Sequence, residues 1–256
     1  YDFNLALGRM LSAKQQYKEA HPYLLAAKQK RSDALVNMTL ALNSVSLGKL
    51  DEAHVQAETA IKLKPKDKDA IDVFVYVLDQ EGKTDEAIAQ LRKWEQYYPT
   101  DPTPNLKIAS KLQMNGKLDA AMADYEKAMK KKPKDVSIMI SAASCLRQAE
   151  KLDDAAKLLS KAIATEPKNQ AALLALGEVY EQQKKPDLAI AQYKRILEVD
   201  QKNQSALHRL ASVYDSQKDY KSEIEVYRKL VAIDPKNVFT AMSLPRLYET
   251  MGDLDT

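Results

Sequence analysis

Proline returns every 34 residues at Pro65, Pro99, Pro133 and Pro167; Pro235 lies two periods further on, with Gln201 in the place between. Polar turn clusters keep step with it: KPKDKD, YPTDPT, KPKD, EPKN, DQKN and DPKN. Small residues form two more ladders, one of Ala53, Ala87, Ala121, Ala155 and Ala189 and one of Gly8, Ala41, Ala109, Ala143, Gly177 and Ala211. A period of this length marks a supersecondary unit that cannot bury its apolar face alone and must stack on its neighbours. Whatever one unit forms, the whole chain forms.

The stretch Gln170–Asn203 shows what the unit is. Leu173, Leu176, Gly177 and Tyr180 recur at i, i+3, i+4, i+7, and Ala189, Tyr193 and Ile196 at i, i+4, i+7. Both spacings place their residues on one helical stripe, so the unit is a pair of amphipathic helices joined by a short polar turn. Small residues in facing places let the two helices approach closely, and a proline just past the second helix stops it. Composition agrees, with only 6 glycines and 10 prolines in 256 residues.

The pattern of leucine, small residue, then leucine or tyrosine, followed by alanine, aromatic, alanine and proline, resembles the tetratricopeptide repeat. Seven copies fit, at about 1–33, 34–67, 68–101, 102–135, 136–169, 170–203 and 204–237, with a partial eighth at 238–256. The resemblance implies an all-α fold: a right-handed superhelical solenoid of antiparallel helix pairs, with first helices lining a concave groove. It implies stability that is nearly one-dimensional, each repeat leaning on the next. The chain begins at Tyr1 and stops inside a pattern, at MGDLDT, so 1–256 reads as one solenoid segment of a longer protein.

Several copies depart from the template. In the third repeat Val75 stands at a small-residue place and Trp94 where Ala27, Ala60, Ala128 and Ala162 stand elsewhere. Trp94 is expected either to force a local repacking or to protrude into a partner or a second copy. Glu223 breaks the alanine ladder, so the seventh hairpin is expected to splay or its carboxylate to find Arg209 or water. Pro245 falls inside the eighth first helix, where a kink or a late start is expected. Gly48, Gly82 and Gly116 suit helix ends that need a positive φ.

Nothing in the sequence points to catalysis. His21, His54 and His208 lie in different repeats without partners at metal-ligand spacing. Cys145 reads as a small buried hydrophobe. No phosphate-cradling loop or nucleophile elbow is present, and no cofactor is called for. Lys and Arg total 39 against 36 Asp and Glu, a balance that argues against nucleic acid. No apolar run is long enough to insert in a membrane. Cytoplasmic and bacterial periplasmic or envelope-associated settings are both compatible.

Binding is therefore sought in the groove. Leu35, Met38, Leu42 and Val45 make a second apolar stripe on a helix whose core stripe is Leu40, Ala41 and Ser44. Leu5, Val73, Tyr76 and Leu106 extend it, while Arg147, Glu178 and Arg209 make the far part of the groove charged. The expected function is a non-catalytic scaffold that holds a peptide or helical segment of a protein partner in complex assembly. Alternatives are a substrate-selecting arm of a larger enzyme, or a scaffold that self-assembles through the Trp94 repeat or the C-terminal helix. Two groove chemistries of the family fit poorly. Lys107 and Arg209 are isolated and Leu42, Ser110 or Ser144 stands where a carboxylate clamp needs asparagine; Thr39, Val73, Lys107, Ser141 and Ala175 replace an asparagine ladder.

Overall fold

The structure, a computed structural model, describes residues 1–250 and Gly252, apart from the side chain of Phe239. Every regular element among them is a helix, and the helices fall into two compact units, residues 1–131 and residues 132 onward. The first unit holds four hairpins: α1 (Asp2–Ala13) with α2 (Tyr17–Lys30), α3 (Ala34–Ser46) with α4 (Leu50–Leu63), α5 (Lys68–Gln80) with α6 (Thr84–Tyr97), and α7 (Thr103–Met114) with α8 (Leu118–Lys131). The second holds α9 (Val136–Gln148) with α10 (Leu152–Thr165), α11 (Gln170–Gln182) with α12 (Pro186–Val199), α13 (Gln204–Gln217) with α14 (Tyr220–Ile233), and then α15 (Val238–Thr250). Each of the seven hairpins falls within one of the seven full repeats of the sequence, and α15 within the eighth. Within a unit each second helix also packs on the next first helix, and α3 touches both α1 and α5.

The ladders explain this stacking. Ala53, Ala87, Ala121, Ala155 and Ala189 are all fully buried at the hairpin contact. Gly8 faces Leu24 and Gly177 faces the Tyr193 ring so closely that an added Cβ would collide with either side chain. Gly177→Ala gains helix propensity but overpacks an immobile ring. The expected net loss is about 1 kcal/mol, seen as a lower denaturation midpoint for the second unit.

A further ladder caps the first helices. Asp33, Asp67, Asp135, Asn169, Asn203 and Asn237 each accept a hydrogen bond from a backbone N–H of the first turn, at 2.9–3.3 Å. Asp101 does the same from Thr103 N at 2.9 Å. Such caps satisfy otherwise orphaned donors, at about 1 kcal/mol each. The hairpin joints repeat as strictly. Gly48, Gly82 and Gly116 have φ of 73°, 74° and 72°, and Gln15, Glu150, Lys184 and Lys218 hold the same left-handed backbone at 57–61° without a glycine's freedom.

Three expectations at the irregular repeats need correction or choice. Trp94 is buried and its Nε1–H donates to Asp101 Oδ2 at 3.3 Å, so the third repeat is repacked and the indole offers no surface to a second copy. The carboxylate that caps the first helix of the next repeat supplies that partner. Glu223 is not held by Arg209: it is buried, and its Oε2 has no hydrogen-bond partner. Its hairpin does not splay, since α13 and α14 pack together like the others. The late start expected at Pro245 does not occur either. The α15 helix begins at Val238 and runs through the proline, leaving Val238 and Met242 exposed. The end of the partial eighth repeat, 251–256, lies outside the described residues apart from Gly252.

Candidate partner-binding groove

Stacking the first helices of the first unit side by side leaves a depression of about 900 Å³ over α1, α3, α5 and α7. Its apolar lining includes Leu35, Met38 and Leu42 on α3 and Val73, Val75 and Tyr76 on α5. Leu35 and Leu42 remain 42 % exposed and Tyr76 43 %. Met38 is half-buried and packs also on the small core of Ala34, Ala60 and Ala70. The second apolar stripe of α3 is thus partly padding and partly open surface. Thr39 and Ser46 return their hydroxyls to the carbonyls of Leu35 and Leu42, at 2.8 and 3.1 Å, which removes two donors from the groove.

Not every expected residue takes part. Leu5 is buried in the core with Leu24, Val36 and Leu40. Val45 and Leu106 are partly buried and do not line the depression. Other residues enter that the apolar pattern did not reveal: Arg9, Ser12, Tyr17, Asp72, Asp79, Lys111 and Met114, the last 84 % exposed. Lys107, isolated in the sequence, is paired with Asp72 in the next first helix, and Lys111 with Asp79. These pairs join residues about one repeat apart, the signal that would have found them.

At the α1 end of the groove Asn43 ties α3 to the first hairpin. This buried amide donates to Tyr17 O at 3.1 Å and lies 3.4 Å from Ser12 Oγ, while its Oδ1 meets His21 Nδ1 at 3.0 Å. His21 Nε2 faces Glu52 at 3.3 Å and Lys49 at 3.1 Å. His54 is likewise held by Glu81, at 2.9 Å. Among the described residues no group of three or more His, Cys, Asp or Glu is placed to hold a metal ion, and Cys145 is buried. No described helix is long and apolar enough to cross a membrane.

In the second unit the charged residues expected on the groove bind one another. Glu178 on α11 lies 3.5 Å from Arg147 on α9 and also pairs with Arg209 on α13, which reaches Glu181 at 3.9 Å. Glu181 accepts a hydrogen bond from the Tyr193 hydroxyl, whose proton is held more tightly because of burial and this carboxylate. Charges neutralised in this way stiffen the stack of first helices and leave little net field for a ligand.

Tetratricopeptide-repeat family models match residues 5–168, 146–214 and 204–237, the first spanning well over half the chain. The chain belongs to the tetratricopeptide repeat family. Several tetratricopeptide repeat structures are similar to it. The C-terminal part of such a protein from Cytophaga hutchinsonii is 18 % identical with a TM-score of 0.71, covering 94 % of this chain and 99 % of that one. MamA is 25 % identical over 60 % of this chain and 84 % of its own, with a TM-score of 0.52. YrrB, described as a tetratricopeptide repeat protein with an unusual peptide-binding site, is 17 % identical over 72 % and 96 %, also at 0.52. No curated protein matches the chain.

Proposed function

We propose that the chain is one continuous repeat array acting as a protein–protein interaction scaffold, and that the first unit holds a peptide or helical segment of its partner in the groove over α3 and α5. One observation carries the reading: Leu35, Leu42 and Tyr76 stay more than two-fifths exposed around one depression although the repeat template does not need them there. Contiguous exposed apolar surface of this kind marks partner sites. The groove is built on helices, with Asn43 tying α3 to the first hairpin, so little order has to be gained on binding. The charged residues of the second unit then serve to hold that unit in shape, with Arg147, Glu178 and Arg209 meeting a ligand only through the outer edges of their ion pairs.

The test is a charge placed in the groove. Leu42→Glu is expected to weaken peptide binding at least about tenfold, because burying the carboxylate under an apolar ligand has no compensating partner. Circular dichroism and the melting curve should stay unchanged, since Leu42 is already wet. Leu188→Glu, at a comparably exposed leucine on α12, should leave binding intact. Equal affinity for Leu42→Glu and the parent protein would overturn the reading.

A further inference from the structure

Four equivalent positions, about one period apart, cross the groove in order: Arg9 on α1, Leu42 on α3, Tyr76 on α5 and Ser110 on α7. Packed neighbouring helices lie roughly 8–10 Å apart. A segment crossing them therefore meets a cation, an aliphatic side chain, an aromatic ring and a hydroxyl in succession. The charges around it are not equivalent. Asp72 and Lys107 neutralise each other, as do Asp79 and Lys111. Arg9 is exposed and has no ion pair or hydrogen bond among the described residues. Among the described residues it is the one cation lining this groove that has no counterion.

We infer that the groove selects a peptide segment with polarity: an acidic side chain seated on Arg9, followed by apolar side chains over Leu42 and Tyr76. This rests on the groove being the binding site. The argument is one of charge complementarity. A guanidinium presents a planar fork that pairs two-pronged with a carboxylate, and beside an apolar surface that excludes water the pair is less screened than on open surface. The two Asp–Lys pairs joining α5 and α7 carry no net charge, so they give no reason for a second charge in the ligand. An acid at the α1 end and apolar residues beyond it also set the direction in which the segment runs. Leu42 and Tyr76 alone leave that direction undefined, since both ends of an apolar stripe look alike.

The experiment is selection from a displayed library of random peptides, roughly a dozen residues long, against the parent chain, Arg9→Glu and Leu42→Glu. The parent should select peptides with Asp or Glu at a constant distance on one side of two apolar residues. Arg9→Glu should reverse this preference toward Lys or Arg. The best parental peptide should bind Arg9→Glu about tenfold more weakly, with the gap shrinking as salt is raised, and Arg9→Lys should restore part of the loss. An apolar consensus with no acid preference, bound equally by parent and Arg9→Glu, would leave the groove reading standing and sink the inference. Selected peptides that bind Leu42→Glu as well as the parent would remove the groove reading, and the inference with it.

Discussion

Asp124→Ala is expected to lower the stability of the first unit by about 3 kcal/mol. The Asp124 side chain is 3 % exposed and receives both prongs of Arg92, at 2.5 and 2.6 Å. Asn105 on α7 donates to it at 3.1 Å and to Glu95 at 2.9 Å, and Lys131 donates to the Asn105 oxygen at 2.6 Å. One network thus ties α6, α7 and α8 together where neighbouring hairpins meet. Removing the aspartate leaves Arg92 with Glu95 as its ion-pair partner, at 2.9 Å, and takes one of the Asn105 partners away. Arg92 is about one-third exposed and can turn partly to water, which places the loss at the low end for a broken buried pair. The exposed pair of Asp154 and Lys157, 3.5 Å apart, is the control: Asp154→Ala should cost less than about 0.5 kcal/mol. Hydrogen exchange of the α6–α8 amides would report the effect locally, as repeat arrays can open in part. An Asp124→Ala protein as stable as the control would show that the network contributes nothing net.

The hairpin architecture was legible because repetition writes each packing rule several times. The alanines of the second helices, the glycine joints and the facing Gly177 and Tyr193 all sit where the period places them. The cap ladder was equally available, as Asp or Asn every 34 residues, but it lies in turns whose charged composition reads as solvation. The groove was only half legible. Apolar excess on α3 located Leu35, Met38 and Leu42, since a helix with two greasy faces announces a second surface. Arg9 and the Asp72–Lys107 and Asp79–Lys111 pairs depend on which side chains meet across repeats, and an isolated lysine looks the same with or without a partner one repeat away. Leu5, Val45 and Leu106 were assigned by the same apolar logic; Leu5 is instead packed in the core and the other two lie outside the depression, because apolar character alone does not say which surface a side chain joins.

Glu223 is where the template and the structure disagree most, and replacing it should stabilise the protein. Five of the equivalent positions hold a fully buried alanine. Glu223 brings a carboxyl into that contact, 2 % exposed, with Oε2 unsatisfied. Burial pushes its proton affinity up, the nearby Asp215 carboxylate pushes it further, and Arg246 on α15 opposes both without cancelling them. The folded-state pKa therefore lies above the ordinary glutamate value, so the native state holds the proton more tightly than the unfolded chain does. Its favourable contribution is complete below the unfolded value and is lost as pH rises through the raised one. Glu223→Ala is expected to raise stability at neutral pH by about 1–3 kcal/mol, the cost of an unsatisfied buried group, and to flatten the decline in melting temperature between acid and neutral pH. Glu223→Gln should flatten it too while gaining less, since an amide still needs partners. Denaturant melts of the three proteins across that range decide the matter. A pH slope that survives both substitutions would assign the titration to another group. A less stable Glu223→Ala would mean that the carboxylate is satisfied in solution and that α15 depends on it.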